Sequence, residues 1–188
     1  FSQSETTIQT SPILRWKSSE RCYLFPMLPF VEMTDMCNIS SFPKVGSLKM
    51  KEFLERWESV PKRLSDLLVN SSPYSLVVPK TAGYYIAAYP EKMERTKQLT
   101  IYFKNQQDRD LAITLLNSNA FFWFWRVYGD GFDVTTTQIR SCPVFVPQDS
   151  IFTDIAASFL EALPSCKVRK GYRGKDVPNV NFNLRMDL

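Results

Sequence analysis

A chain of 188 residues is long enough to bury one sizeable domain core and too short for two full domains. Its complete lack of histidine excludes Ser-His-Asp and Cys-His hydrolases, most catalytic zinc sites and histidine general bases. Lys and Arg number 23 against 19 Asp and Glu, a net +4 that permits a polyanionic partner without demanding one, and the 14% aromatic content asks for a use in core or stacking surfaces.

The opening "FSQSETTIQT" has neither an initiator Met nor a basic-then-apolar leader, so a piece of a larger protein is expected. The Pro-punctuated "RCYLFPMLPFVEM" predicts short strands and turns or irregular packing. Ser47 opens a helix in which Met50, Phe53, Leu54, Trp57 and Val60 recur at three and four, opposite Lys49, Lys51, Glu52, Glu55 and Glu58. Pro61 should kink or split it, with the stripe resuming at Leu64, Leu67 and Leu68 until "VNSSPY" turns the chain.

Three β-rich runs follow, "YSLVVP", "GYYIAAY" and "LTIYF", with Gly83 and Pro90 to Lys97 as turns. Asn105, with Asp108 behind it, caps one helix through Leu111, Leu115 and Leu116 into Phe121, Phe122, Trp123, Phe124, Trp125, Val127 and Tyr128, with Gly129 as the stop. A spanning helix needs ~20 apolar residues, and this run has about half that with Arg126 inside it, so a buried helix through the middle of the domain is expected. "IRSCPVFVP" reads as a buried strand. A helix from Asp149 to Leu163 with Ile151, Ile155, Phe159 and Leu163 on one stripe comes next, then a basic tail. The pattern predicts a mixed α/β fold: a small sheet with a central aromatic-rich helix and flanking helices. Residues 1–71 would form a helical or irregular segment packing on a core of residues 72–188.

Catalytic signatures are missing. The six glycines form no GxGxxG or Walker loop, and no Glu-x-Lys or Asp-x-Lys pair suits a metal-dependent nuclease. Cys22, Cys37, Cys142 and Cys166 lack Cys-x-x-Cys spacing, which points to reduced thiols in a cytoplasmic protein rather than zinc or redox chemistry. "SSPY" at Ser71 to Tyr74 is similar to the (Asn/Asp/Ser)-Pro-Pro-Tyr loop of amino-methyltransferases, but Ser72 stands at the first proline and a turn explains it better.

Binding has more support. Tyr84, Tyr85 and Tyr89 sit among Lys80, Lys92, Arg95, Lys97 and Lys104, a mixture of rings and cations that suits nucleic acid as well as plain sheet packing. Thr135, Thr136, Thr137, Gln138 and Arg140 form a polar stretch able to read base edges or grip phosphates, with loop solvation as the other reading. Lys167, Arg169, Lys170, Arg173 and Lys175 contain no acid among them and suit a phosphate backbone or a solvated loop.

The segment "AITLLNSNAFFWFWRVYGDGFDVTTTQIRSCPV" resembles the DNA-reading C-terminal part of adenine-specific DNA methyltransferases and fused type II restriction-modification enzymes, the TaqI-like specificity group. Leu116, Asn117, Ser118, Phe121 to Trp125, Gly129, Asp130, Gly131, Ile139 and Pro143 carry the match, which extends loosely from Ser72 to Leu184. The resemblance implies a bacterial target-recognition domain that clamps double-stranded DNA and selects the site. A separate N-terminal methyltransferase domain would bind S-adenosylmethionine and flip adenine, with or without a fused endonuclease. The implied DNA-binding residues are Lys80, Tyr84, Tyr85, Arg95, Lys97, Thr136, Gln138, Arg140, Arg169, Lys170, Arg173 and Lys175, with no catalysis, cofactor or metal in this fragment. Phe132-Asp133 departs from the group, which often has an aromatic or histidine at the second position, so Asp133 is not carried over as a contact. The aromatic run is then scaffold first, a pillar steadying the polar stretch after Gly131. A protein- or RNA-binding module is the alternative, and an enzyme remnant using Ser71 to Tyr74 would have to bind S-adenosylmethionine.

Overall fold

Local capping fixes where the helices begin. In the computed structural model, which describes residues 7–14, 17–37, 42–82, 85–92, 97–146, 151–172 and 175–180, Ser47 Oγ accepts the Met50 N–H and opens a helix over Leu48–Glu58, called α2 because a short turn α1 (Leu24–Met27) precedes it. Asn105 accepts the Asp108 N–H at 2.8 Å and opens α3, Gln106–Leu116. The chain has a mixed α/β fold. Strands β1 (Thr7–Thr10) and β2 (Thr34–Cys37) pair antiparallel in the N-terminal segment, with α1 and short 3-10 turns between them.

The central sheet is antiparallel, in the order β3 (Leu68–Val69), β5 (Gln98–Phe103), β4 (Ser75–Pro79). Val77 faces Thr100 and Leu76 faces Ile101 in its register. Residues on both sides of position 71 therefore share one sheet, and Leu64, Leu67, Leu76, Val78, Ile101 and Phe103 share one core. Ser72 makes the intervening turn: its Oγ bonds the Phe103 carbonyl at 2.7 Å and accepts the Tyr74 N–H at 3.0 Å.

One expected helix is two. Ser118 Oγ accepts the Phe121 N–H and starts α4, Asn119–Tyr128, after a break at Asn117. The break frees the Asn117 amide to act as a strand partner. Its Oδ1 accepts the Ala88 N–H at 3.1 Å, and its Nδ2 donates to the carbonyls of Ala88 at 3.2 Å and Ile113 at 2.8 Å. This explains a second departure. The buried residues Ile86 to Tyr89 form no regular strand, because Tyr89 bridges β4 only at Val77 while a side chain satisfies Ala88.

Helix α4 is largely apolar and is packed on two sides. Phe121, Phe124 and Trp125 enter the main core, Trp123 stacks on Trp57 of α2 with ring centroids 6.1 Å apart, and Val127 joins Leu54, Val45 and Met36. Each fully covered ring contributes ~1.5–3 kcal/mol from lost water contact. In α3, Asp110 is buried and held by Arg109, whose Nη2 reaches its Oδ1 at 2.6 Å.

Downstream, the expected strand at 139–147 is replaced by a short helix, α5 (Thr136–Ser141), followed by residues 142–144 running beside 62–64. Helix α6 spans Ile151–Cys166 and packs against α3; the expected start at Asp149 lies outside the described residues. Its buried stripe is turned from the expected one. Ile151 and Ile155 are exposed, while Phe152, Ala156, Phe159 and Leu163 face inward, the small Ala156 allowing close approach. The basic tail is a hairpin of β6 (Lys167–Tyr172) and β7 (Lys175–Val180), with Arg169 opposite Pro178.

Candidate nucleic-acid interface

The pillar ends in a turn whose backbone is tied down residue by residue. Gly129 N–H donates to the Trp125 carbonyl at 2.6 Å, and a side-chain carbon on Gly129 would lie 2.4 Å from that oxygen, so close approach demands glycine here although its φ of −84° does not. Lys44 Nζ donates to the Gly129 carbonyl at 2.8 Å. Gly131 turns the chain at φ 81°, a left-handed conformation that favours glycine. Asp130 Oδ1 accepts two backbone N–H groups, from Phe132 at 2.8 Å and Asp133 at 3.0 Å. Those two bonds, Phe132 first, hold the Asp130 carboxyl below its ordinary range, with Lys44 adding a smaller pull. Burial lowers the Lys44 ammonium, and Asp130 opposes that effect.

This turn is stitched to the sheet end that carries two of the expected cations. Ala82 N–H donates to the Phe132 carbonyl, Val134 N–H to the Lys80 carbonyl and Lys80 N–H to the Lys97 carbonyl, at 3.0, 2.6 and 3.1 Å. Trp125 Nε1, from inside the pillar, donates to the Asp133 carbonyl at 3.0 Å. Lys80, Lys97 and the residues ahead of α5 are therefore neighbours, with the Lys80 and Lys97 side chains exposed. The field there is mixed. Asp133 is exposed beside Thr81, their side-chain oxygens 3.5 Å apart, which suits an amino group on a base edge better than a phosphate.

Helix α5 begins with a reciprocal cap. Thr135 Oγ1 accepts the Gln138 N–H at 3.2 Å, and Gln138 Oε1 accepts the Thr135 N–H at 2.9 Å. Ile139 is buried beneath it, while Thr136 and Arg140 are exposed. Gln138 is half-buried, and one end of its amide is committed to the cap. The Thr-x-x-Gln spacing signals such a cap, and it is the feature that reading the stretch as a polar loop passes over.

The other expected residues divide. Tyr85 is exposed on the segment leading to Ile86. Arg169 is exposed on β6, and Lys170 and Lys175 lie in β6 and β7, opposite Val177 and Tyr172. Tyr84, Arg95 and Arg173 lie outside the described residues. The hairpin follows directly from Cys166, which packs with Leu163, Ala87 and Tyr89, so it leaves the domain beside the segment flanking β4.

Away from this surface, Tyr128 donates to Glu58 and Glu58 pairs with Arg63 at 3.0 Å. Burial and then Glu58 raise the Tyr128 hydroxyl well above its usual range. The same two influences push the Cys142 thiol up to about 12, with Arg63 opposing. Cys142 is withdrawn from solvent by the core, and Tyr128 is half-buried against it. Among the described residues, no three His, Cys, Asp or Glu side chains cluster as metal ligands, and no helix is long and apolar enough to cross a membrane.

No family model matches the chain, and no curated protein or solved structure matches it.

Proposed function

We propose that this chain is the target-recognition domain of a bacterial, cytoplasmic restriction-modification DNA adenine methyltransferase, binding double-stranded DNA and selecting its sequence. The observation that carries the reading is the backbone stitching that sets Lys97, Lys80, the Gly-Asp-Gly turn and the start of α5 side by side on the end of the aromatic pillar. In this reading Lys80 and Lys97 meet phosphates, Thr136, Gln138 and Arg140 face base edges, and the basic hairpin with Arg169, Lys170, Arg173 and Lys175 extends the phosphate contact. Tyr84, Tyr85 and Arg95 belong to the flanking segment.

Bond making and S-adenosylmethionine then belong to a separate methyltransferase domain, with or without a fused endonuclease; this chain offers no glycine-rich loop for the cofactor. A protein partner has its own support. Tyr23, Phe25, Met27 and Phe30 are exposed in the N-terminal segment, beside a cavity of about 330 Å³ lined by Pro12, Leu14, Met27, Phe30, Val31 and Glu32. We assign that apolar surface to the catalytic domain of the same enzyme; a stand-alone protein- or RNA-binding module is the second reading. The test is titration with random duplex DNA at two salt concentrations. A DNA reader loses affinity steeply as salt rises, and replacing Arg169, Lys170 and Arg173 together by Ala should weaken binding and flatten that dependence. Affinity indifferent to salt in the parent chain would overturn the proposal.

A further inference from the structure

Among the exposed residues of the stitched turn, one is a large apolar side chain. Phe132 is 74% exposed, while the backbone around it is held from four directions: its N–H by Asp130, its carbonyl by Ala82, the Asp133 carbonyl by Trp125, and the Val134 N–H by Lys80. Single exposed apolar side chains are ordinary on protein surfaces. What sets this one apart is its mounting, because hydrogen bonds on both sides and a left-handed glycine immediately before it fix the backbone from which the ring projects. The ring adds almost nothing to the core, so folding does not account for it.

The chemistry around the ring suits a ligand that is flat and apolar in its middle, with anionic edges for Lys80 and Lys97 and an amino group for the exposed Asp133 carboxylate. Lys80 and Lys97, both exposed, flank the turn on the adjoining sheet end, and Asp130 turns one oxygen inward onto two N–H groups. A stacked base step between two phosphates has that profile, and an apolar side chain inserted at such a step unstacks it and bends the duplex. We infer that Phe132 is a stacking wedge that enters a base step of the bound duplex, making local DNA deformability part of what this chain selects. The inference rests on the duplex-DNA reading above.

The experiment uses the 188-residue chain and the duplex it selects from a random pool, with 2-aminopurine placed at each adenine in turn. Binding of the parent should raise fluorescence at one position, where the base loses its neighbour. Phe132→Ala should abolish the rise and weaken binding roughly 10- to 100-fold, with the salt slope unchanged because no phosphate contact is lost. Phe132→Leu, still an apolar wedge, should retain part of both effects. A parent that binds DNA with no fluorescence change, or a Phe132→Ala variant with parental affinity and fluorescence, overturns the wedge and leaves the DNA reading standing. A parent with no salt-dependent duplex binding overturns both.

Discussion

Replacing Asn117 tests whether a side chain stands in for a strand. Asn117→Ala removes three hydrogen bonds and leaves the N–H and carbonyl of Ala88, a residue with no solvent exposure, without the amide that pairs them. The Ile113 carbonyl keeps the Asn117 backbone N–H at 3.2 Å and is not orphaned. Two buried backbone groups losing a partner, at roughly 1–2 kcal/mol each, give a destabilisation of about 3 kcal/mol. For a domain of this size that corresponds to a melting point about 6–12 °C lower. Asn117→Asp discriminates further. It keeps an acceptor for the Ala88 N–H but turns a second oxygen on two carbonyls, so it should destabilise at least as much as alanine. Urea denaturation of the three proteins, with hydrogen exchange at the Ala88 amide, provides the measurement. An aspartate variant as stable as the parent, or an alanine variant losing less than about 1 kcal/mol, would refute the pairing argument.

Two further outcomes follow from shifted protonation. Asp130 has a depressed folded pKa relative to an ordinary value of 3.8, so its contribution to stability is fully present above that pH and is lost as pH falls through the depressed value. The stability gap between parent and Asp130→Asn should therefore be constant near neutrality and close in strong acid; a gap independent of pH would refute the role of the charged form. Cys142, buried and with its thiol pushed up to about 12, should resist thiol reagents at mildly alkaline pH until the protein unfolds, whereas exposed Cys22 reacts at once. Mass spectrometry of labelled peptides reads both, and native-state labelling of Cys142 would contradict its placement.

Helix starts at Ser47 and Asn105 were legible in the sequence because a cap is a contact between residues three apart. The break at Asn117 was not, since an unbroken apolar pattern masks the second cap at Ser118. The failed strand at Ile86 to Tyr89 has a similar cause: periodicity reports burial, whereas a strand also needs neighbours for its backbone, and here an amide replaces one. The α6 stripe is turned so that Ala156 is buried while Ile151 and Ile155 are exposed, which apolar spacing alone does not distinguish. Of the site, residue types and the glycine turn could be read directly. The adjacency of Lys80 and Val134 could not, because it rests on backbone bonds between segments some fifty residues apart.

The Gly129 carbonyl is gripped by Lys44, the Ser72 hydroxyl is bonded to Phe103, and β3 completes the sheet from positions 68 and 69. The later part of the chain is consequently not self-contained as a cassette cut near position 71. A truncation that keeps only the later part would leave its turn without the ammonium and its β5 with a bare edge, so any fragment meant to preserve that turn must carry residues from before Lys44.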